Sequence, residues 1–141
     1  MQATVRWDKN MAFSGETATG HLLKMDSAPE FGGMNTGPRP TELVLHAVAG
    51  CTGMDIISIL KKMRLEPTSF EMDIEGERAA EHPKRFTEIS LHYRFEGDLP
   101  EEKVIRAIEL SKEKYCSVAH SLNAEITAFY SINGIKSERK L

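Results

Sequence analysis

The stretch from Pro40 to Met63 constrains the fold more than any other part of the chain. Leu43, Val44, Leu45, Ala47, Val48, Ala49, Met54, Ile56, Ile57, Ile59 and Leu60 leave little of a helical circumference polar. A helix apolar nearly all round has to be enclosed by the rest of the protein, so this stretch predicts a long, buried central helix. Pro40 suits the first helical position, and Glu42 in the first turn complements the helix dipole. Lys61, Lys62 and Arg64 close the helix with favourable charge, and Pro67 stops it.

The cover for that helix comes from segments with a different period. Phe70, Met72, Ile74 and Gly76 alternate with Glu71, Asp73, Glu75 and Glu77, so one strand face is apolar and the acidic one is solvated. After a turn around His82-Pro83, Ile89, Leu91, Tyr93 and Phe95 alternate with Glu88, Ser90, His92 and Arg94, and the two strands pair antiparallel by the simplest connection. Pro100-Glu101-Glu102 opens a second, amphipathic helix with Val104, Ala107, Ile108, Ser111 and Tyr115 on one face. A short segment beginning at Cys116 leads to a last strand, Ala124 to Ile132. Before the central helix, residues 2–25 read as short strands and turns, with apolar content in Thr4-Val5-Arg6-Trp7 and in His21-Leu22-Leu23-Lys24-Met25. Residues 26–40 have no periodicity and are rich in Gly and Pro, which predicts a mobile loop of a length that is often functional. The expectation is one α+β domain over residues 1–141, with two helices on an antiparallel sheet.

Composition narrows the function. A chain of 141 residues with a net charge of −3 and scattered Lys and Arg carries no basic footprint for nucleic acid. No charged start followed by an apolar run marks a secretory signal. The longest apolar stretch, Leu43 to Ala49, is broken by His46 and is too short to span a bilayer. A cytoplasmic protein without membrane partners is expected. There, two cysteines are packing residues, metal ligands or a redox pair rather than a structural framework.

Cys51 lies mid-helix in Ala49-Gly50-Cys51-Thr52-Gly53. Free cysteine often simply packs. Against that, each of the flanking glycines costs about 1 kcal/mol of helix stability relative to alanine, and close approach of a backbone or a substrate would explain them. Cys116 stands where a short helix from Ser117 to Leu122 begins, a position that favours its thiolate. His46 and His120 add a third possibility, a Cys/His metal set with Cys51 and Cys116, although no Cys-x-x-Cys or His-x-x-x-His spacing supports it. Glu42 reads as a capping residue and Arg39 as a solvated loop residue. In a functional reading, an arginine beside a cysteine holds a thiolate, and a carboxylate orients the arginine.

Gly37-Pro38-Arg39-Pro40-Thr41-Glu42-Leu43-Val44-Leu45-His46-Ala47-Val48-Ala49-Gly50-Cys51 resembles the signature of the OsmC/Ohr family, and Glu113-Lys114-Tyr115-Cys116-Ser117-Val118-Ala119 resembles its second motif. The order of strands and helices is similar over essentially the whole chain, and the details are nearest the YhfA-like subgroup. The resemblance implies an OsmC-like fold in an intertwined homodimer with two interfacial sites. It implies reduction of organic hydroperoxides, with Cys51 attacking the peroxide, Cys116 resolving the sulfenic acid to a disulfide, and a lipoyl-type dithiol recycling the pair. Glu42 and Arg39 join Cys51 and Cys116 as site residues, and no cofactor or metal is implied. Two departures stand out: Thr41 occupies the position of the Ohr glutamate, with Glu42 one residue later, and Arg39 comes from the loop before the helix rather than from the N-terminal strands. A non-catalytic protein binding a small apolar or thiol-reactive ligand in the same pocket is the alternative reading.

Overall fold

A computed structural model of the chain describes residues 1–141, which form two compact units, 1–44 and 45–141. In the first unit, β1 (Ala3–Lys9), β2 (Ala12–Thr17) and β3 (Leu22–Met25) make an antiparallel sheet in that order. The sequence reading placed only the outer two of these. β2 was hidden by Gly15 at its centre, where it pairs with Val5 on one side and Leu23 on the other.

The loop from residue 26 to residue 39 is braced from within. Asp26 is buried, and its carboxylate accepts hydrogen bonds from the Ser27, Met34 and Thr36 N–H groups and from the Thr36 hydroxyl. These bonds hold its carboxyl well below the usual carboxylate range, because each one favours the charged form. A 3-10 turn at Pro29–Phe31 sits inside the loop.

α1 (Pro40–Lys62) leads into the second unit, followed by β4 (Ser69–Arg78), β5 (Phe86–Glu96), α2 (Glu101–Leu110), α3 (Ser117–His120), β6 (Glu125–Ile132) and β7 (Ile135–Lys136). The core joins Val48, Ile56 and Leu60 of α1 and Val104, Ala107 and Ile108 of α2 to Ile89, Leu91, Tyr93 and Phe95 of β5 and Ala128 and Tyr130 of β6. On the opposite face of the sheet, Arg94 bridges Glu71 at 2.8 Å and Asp73 at 2.9 Å, so the acidic strand face is exposed as expected.

The sheet is mixed rather than antiparallel: the order is β4-β5-β6-β7, and β5 and β6 run parallel. The helices between them carry the chain back to the end where β5 began, which a hairpin cannot do. β7, absent from the sequence reading, follows Asn133-Gly134, whose φ values of 50° and 79° suit a tight hairpin turn.

The central helix is not buried all round in the single chain. Val48, Thr52, Gly53, Ile56, Ile59 and Leu60 are buried, whereas Met54 on the other side is 76% exposed. By length and composition this helix is also long and apolar enough to cross a membrane, which the broken run Leu43 to Ala49 had not suggested. Its packing against the sheet makes it a core helix instead.

Tyr115 is 47% exposed rather than on the apolar face of α2. Residues 111–115 form a π-helical turn, closed by the Cys116 N–H bonding to the Ser111 carbonyl five residues back. The extra residue in that turn rotates Tyr115 off the stripe.

Candidate thiol site

The two cysteines meet between the central helix and the end of the π turn. Cys51, Asp55 and Cys116 hold their two sulfurs and one carboxylate oxygen within 4.8 Å of one another. The two sulfurs lie within 4.8 Å of each other, so 65 residues of separation in sequence become neighbouring atoms. Asp55 stands four residues after Cys51, which places both side chains on one face of α1. That i, i+4 spacing is the signal in the sequence that points to Asp55.

Cys116 is 1% exposed. The sequence position at a helix start predicted a stabilised thiolate, and the structure reverses this. Burial pushes the Cys116 thiol up to about 11, with the Ala119 N–H opposing and the neighbouring Cys51 and Asp55 reinforcing. α3 is a single turn, too short to supply much dipole, so desolvation wins. Cys51 is half-buried, the more accessible of the two.

A file of hydroxyls ends on Asp55. The Ser111 hydroxyl donates to Asp55 Oδ2 at 3.0 Å, Thr52 Oγ1 lies 2.8 Å from Ser111 Oγ, and Tyr93 OH lies 2.9 Å from Thr52 Oγ1. Each hydroxyl has one proton. With Ser111 committed to the carboxylate, Thr52 donates to Ser111 and Tyr93 to Thr52, so the direction of every bond follows from the end point. Burial holds the Tyr93 phenol well above its ordinary value, and it stays protonated. The π turn puts Ser111 into this file, in keeping with the frequent placement of such turns at functional sites.

Cys116 lines a cavity of about 280 Å³ whose walls include Val48, Leu91 and Ala128, with Lys112 and His120 as its basic side chains. A second, more open hollow of about 500 Å³ is lined by Gly50, Gly53, Met54, Ile57, Phe70 and Met72. The glycines beside Cys51 therefore have separate explanations. A Cβ on Gly53 would stand 2.8 Å from Met72 Cε, whereas Gly50 faces open space within this chain.

The other expected site residues are at the start of α1. Glu42 Oε2 accepts the Arg39 N–H at 2.7 Å, the reciprocal half of a capping box. The Arg39 guanidinium donates to Asn35 Oδ1 at 2.8 Å and to the Gly37 carbonyl at 3.1 Å. The Cys/His metal set is not assembled: His46 and His120 do not join the cluster of Cys51 and Cys116, and Asp55 does. Three ligands leave that cluster one short of a structural zinc site.

A mixed α+β fold with two sheets and helices in this order places the chain in the OsmC-like class. The chain belongs to that family, whose model, OsmC-like protein, matches residues 33–129. Among individual relatives, protein YhfA of Escherichia coli K12 is 42% identical over 135 residues, covering 93% of this chain and 96% of that one. A solved structure of a hypothetical protein from Aquifex aeolicus VF5 is 29% identical with a TM-score of 0.77, over 94% of this chain and 96% of that one. An organic hydroperoxide resistance protein OsmC from Legionella pneumophila shares the fold at 19% identity, with a TM-score of 0.71 over 92% and 95% of the two chains.

Proposed function

We propose that this chain is a two-cysteine peroxidase for organic hydroperoxides. The observation that carries the reading is the placement of the Cys51 and Cys116 sulfurs within 4.8 Å of each other, from which side-chain rotation brings them to a disulfide. The Cys51 thiolate attacks the peroxide, the O–O bond breaks, and the alkoxide leaves with a proton as the alcohol. Cys51 is oxidised by two electrons to the sulfenic acid. Cys116 then attacks that sulfur, the S–O bond breaks, water leaves and the disulfide forms. A dithiol of the lipoyl type returns both thiols by exchange and is itself oxidised to a disulfide.

The apolar linings of the two hollows favour an alkyl hydroperoxide over hydrogen peroxide. Arg39 and Glu42 are proposed as the pair that favours the Cys51 thiolate, with Glu42 holding the Arg39 backbone. The reading includes a cytoplasmic setting, where thiol reductants are available. It also includes a homodimer, supported by exposed apolar residues such as Trp7 at 66% and Leu22 at 77% in the first unit and Met54 on α1.

The test is mass spectrometry after one equivalent of cumene hydroperoxide, with and without dihydrolipoamide. The expected result is rapid loss of two hydrogens, a Cys51–Cys116 cross-linked peptide, and reversal by the dithiol, with Arg39→Ala slowing the first step. One observation favours the second reading, a ligand-binding protein without turnover: Arg39 Nη1 directs its donors to Asn35 Oδ1 and the Gly37 carbonyl within its own loop. Thiols that stay reduced under these conditions would overturn the peroxidase and leave that reading in its place.

A further inference from the structure

We infer that Asp55 is the proton acceptor for Cys116 when that thiol attacks a Cys51 sulfur carrying a leaving group. The inference rests on the redox-pair reading of the two cysteines and adds the residue that makes the second step possible. A thiol with its value near 11 is almost entirely protonated at neutral pH, and only the thiolate attacks. Left to its own ionisation, Cys116 presents roughly one thiolate in ten thousand at pH 7, so the site needs a base within reach of the sulfur.

The groups facing Cys116 are few. From α1 come Cys51, which is the electrophile in this step, and Asp55. From β5 comes Tyr93, whose proton is committed to Thr52. Lys112 and His120 line the same cavity. Lys112 carries its charge to the Leu141 carbonyl at 2.6 Å and is a cation with no lone pair to offer. His120 stays outside the group that gathers within 4.8 Å, and Asp55 is inside it.

Asp55 is also held for the task. The Tyr93–Thr52–Ser111 file delivers a hydrogen bond to Oδ2, which fixes the carboxylate and leaves it further acceptor capacity. A general base needs a position within hydrogen-bond reach of the proton it takes, directly or through one water, and the 4.8 Å limit on the cluster satisfies the second case.

In the step, the Cys116 S–H proton passes to the Asp55 carboxylate as the Cys116–Cys51 S–S bond forms. On a sulfenic acid, the S–O bond breaks, and the departing hydroxide takes the proton back from Asp55 to leave as water. On a mixed disulfide at Cys51, the old S–S bond breaks and the leaving thiol departs as its thiolate, while Asp55 passes its proton to solvent. No further oxidant is needed in either case.

The experiment avoids peroxide, so it is independent of the substrate assignment. The reduced protein is mixed with excess dithiobis(nitrobenzoate). The first release of thionitrobenzoate marks reaction at Cys51, and the second marks intramolecular attack by Cys116. Cys116→Ser, releasing one equivalent at this pair, identifies the second phase. Asp55→Asn is expected to slow the second phase by about 100-fold, the scale of general-base catalysis, with Asp55→Glu recovering part of it and His120→Gln leaving it near wild type.

The sign separates this role from a merely electrostatic one. A fixed negative charge raises the Cys116 value, so its removal would make more thiolate and speed the second phase. Acceleration or no change in Asp55→Asn overturns the proposal, as does loss of the phase in His120→Gln. Should Asp55→Asn fail to fold, the wild-type protein still decides. With Asp55 as base the second phase is nearly flat between about pH 6 and pH 9, whereas unaided ionisation makes it rise about tenfold per pH unit. A wild-type protein that never releases the second equivalent refutes the attack itself, whatever happens with peroxide.

Discussion

At the scale of single residues, the structure turns on how two acidic groups are placed. Cys116 and Asp26 are both buried, yet their protonation moves in opposite directions. Asp26 is met by N–H and O–H donors that replace the water it lost, while Cys116 has little beyond the Ala119 N–H. Donor supply, more than depth, decides the sign. For Asp26 the depressed folded value means that its contribution to stability is present above the unfolded carboxylate value, near 4, and is lost as pH falls below it. Asp26→Asn is therefore expected to be less stable than the parent at pH 7, with the gap closing on acidification below about pH 4. Urea titrations of both proteins at neutral and acid pH measure this. A gap that widens toward low pH would assign the loop's stability to something other than the Asp26 charge.

At the scale of elements, periodicity carried the reading as far as it could and failed where geometry departs from the period. The α2 stripe held through Ser111 and then slipped at Tyr115, because one π turn adds a residue that no 3.6-residue pattern anticipates. The alternation in β4 held through Gly76, which takes an apolar-face position without a side chain. Its reason is close approach: a Cβ there would stand 2.6 Å from Phe86 Cε1 and 3.0 Å from Leu45 Cδ2. An aromatic ring wedged between strand and helix yields less readily than a methionine tip. Gly76→Ala is expected to cost about 1–3 kcal/mol by denaturant titration. Gly53→Ala, where only Met72 Cε has to move, is expected to stay within about 1 kcal/mol of the parent.

At the scale of the whole molecule, each of the two units leaves large apolar side chains exposed. In the first unit Trp7, Phe13, Leu22 and Leu23 are exposed, and in the second Met54 is. Exposed apolar patches of this kind mark surfaces that bind something. The proposed partner is a second copy, and sedimentation at micromolar concentration is expected to give twice the chain mass, with Trp7→Glu and Leu22→Glu shifting it toward monomer. A monomeric parent protein would remove the dimer from the proposal and leave the thiol chemistry to be tested within one chain.

The sequence by itself determined the central helix, the β4–β5 pair, the amphipathic second helix and the two cysteines, because each is written in a local period or a residue type. It also carried the family resemblance, since both cysteine motifs are contiguous stretches of chain. Only the tertiary structure decided that β5 and β6 run parallel, that the two thiols lie within 4.8 Å of each other, and that Asp55 rather than a histidine completes the cluster. It also decided that Cys116 holds its proton, since desolvation depends on what packs around a sulfur and not on its place in the chain. Local pattern reports which face of an element is apolar. Which faces meet, and which polar atoms are left together when they do, is settled by packing the elements against one another.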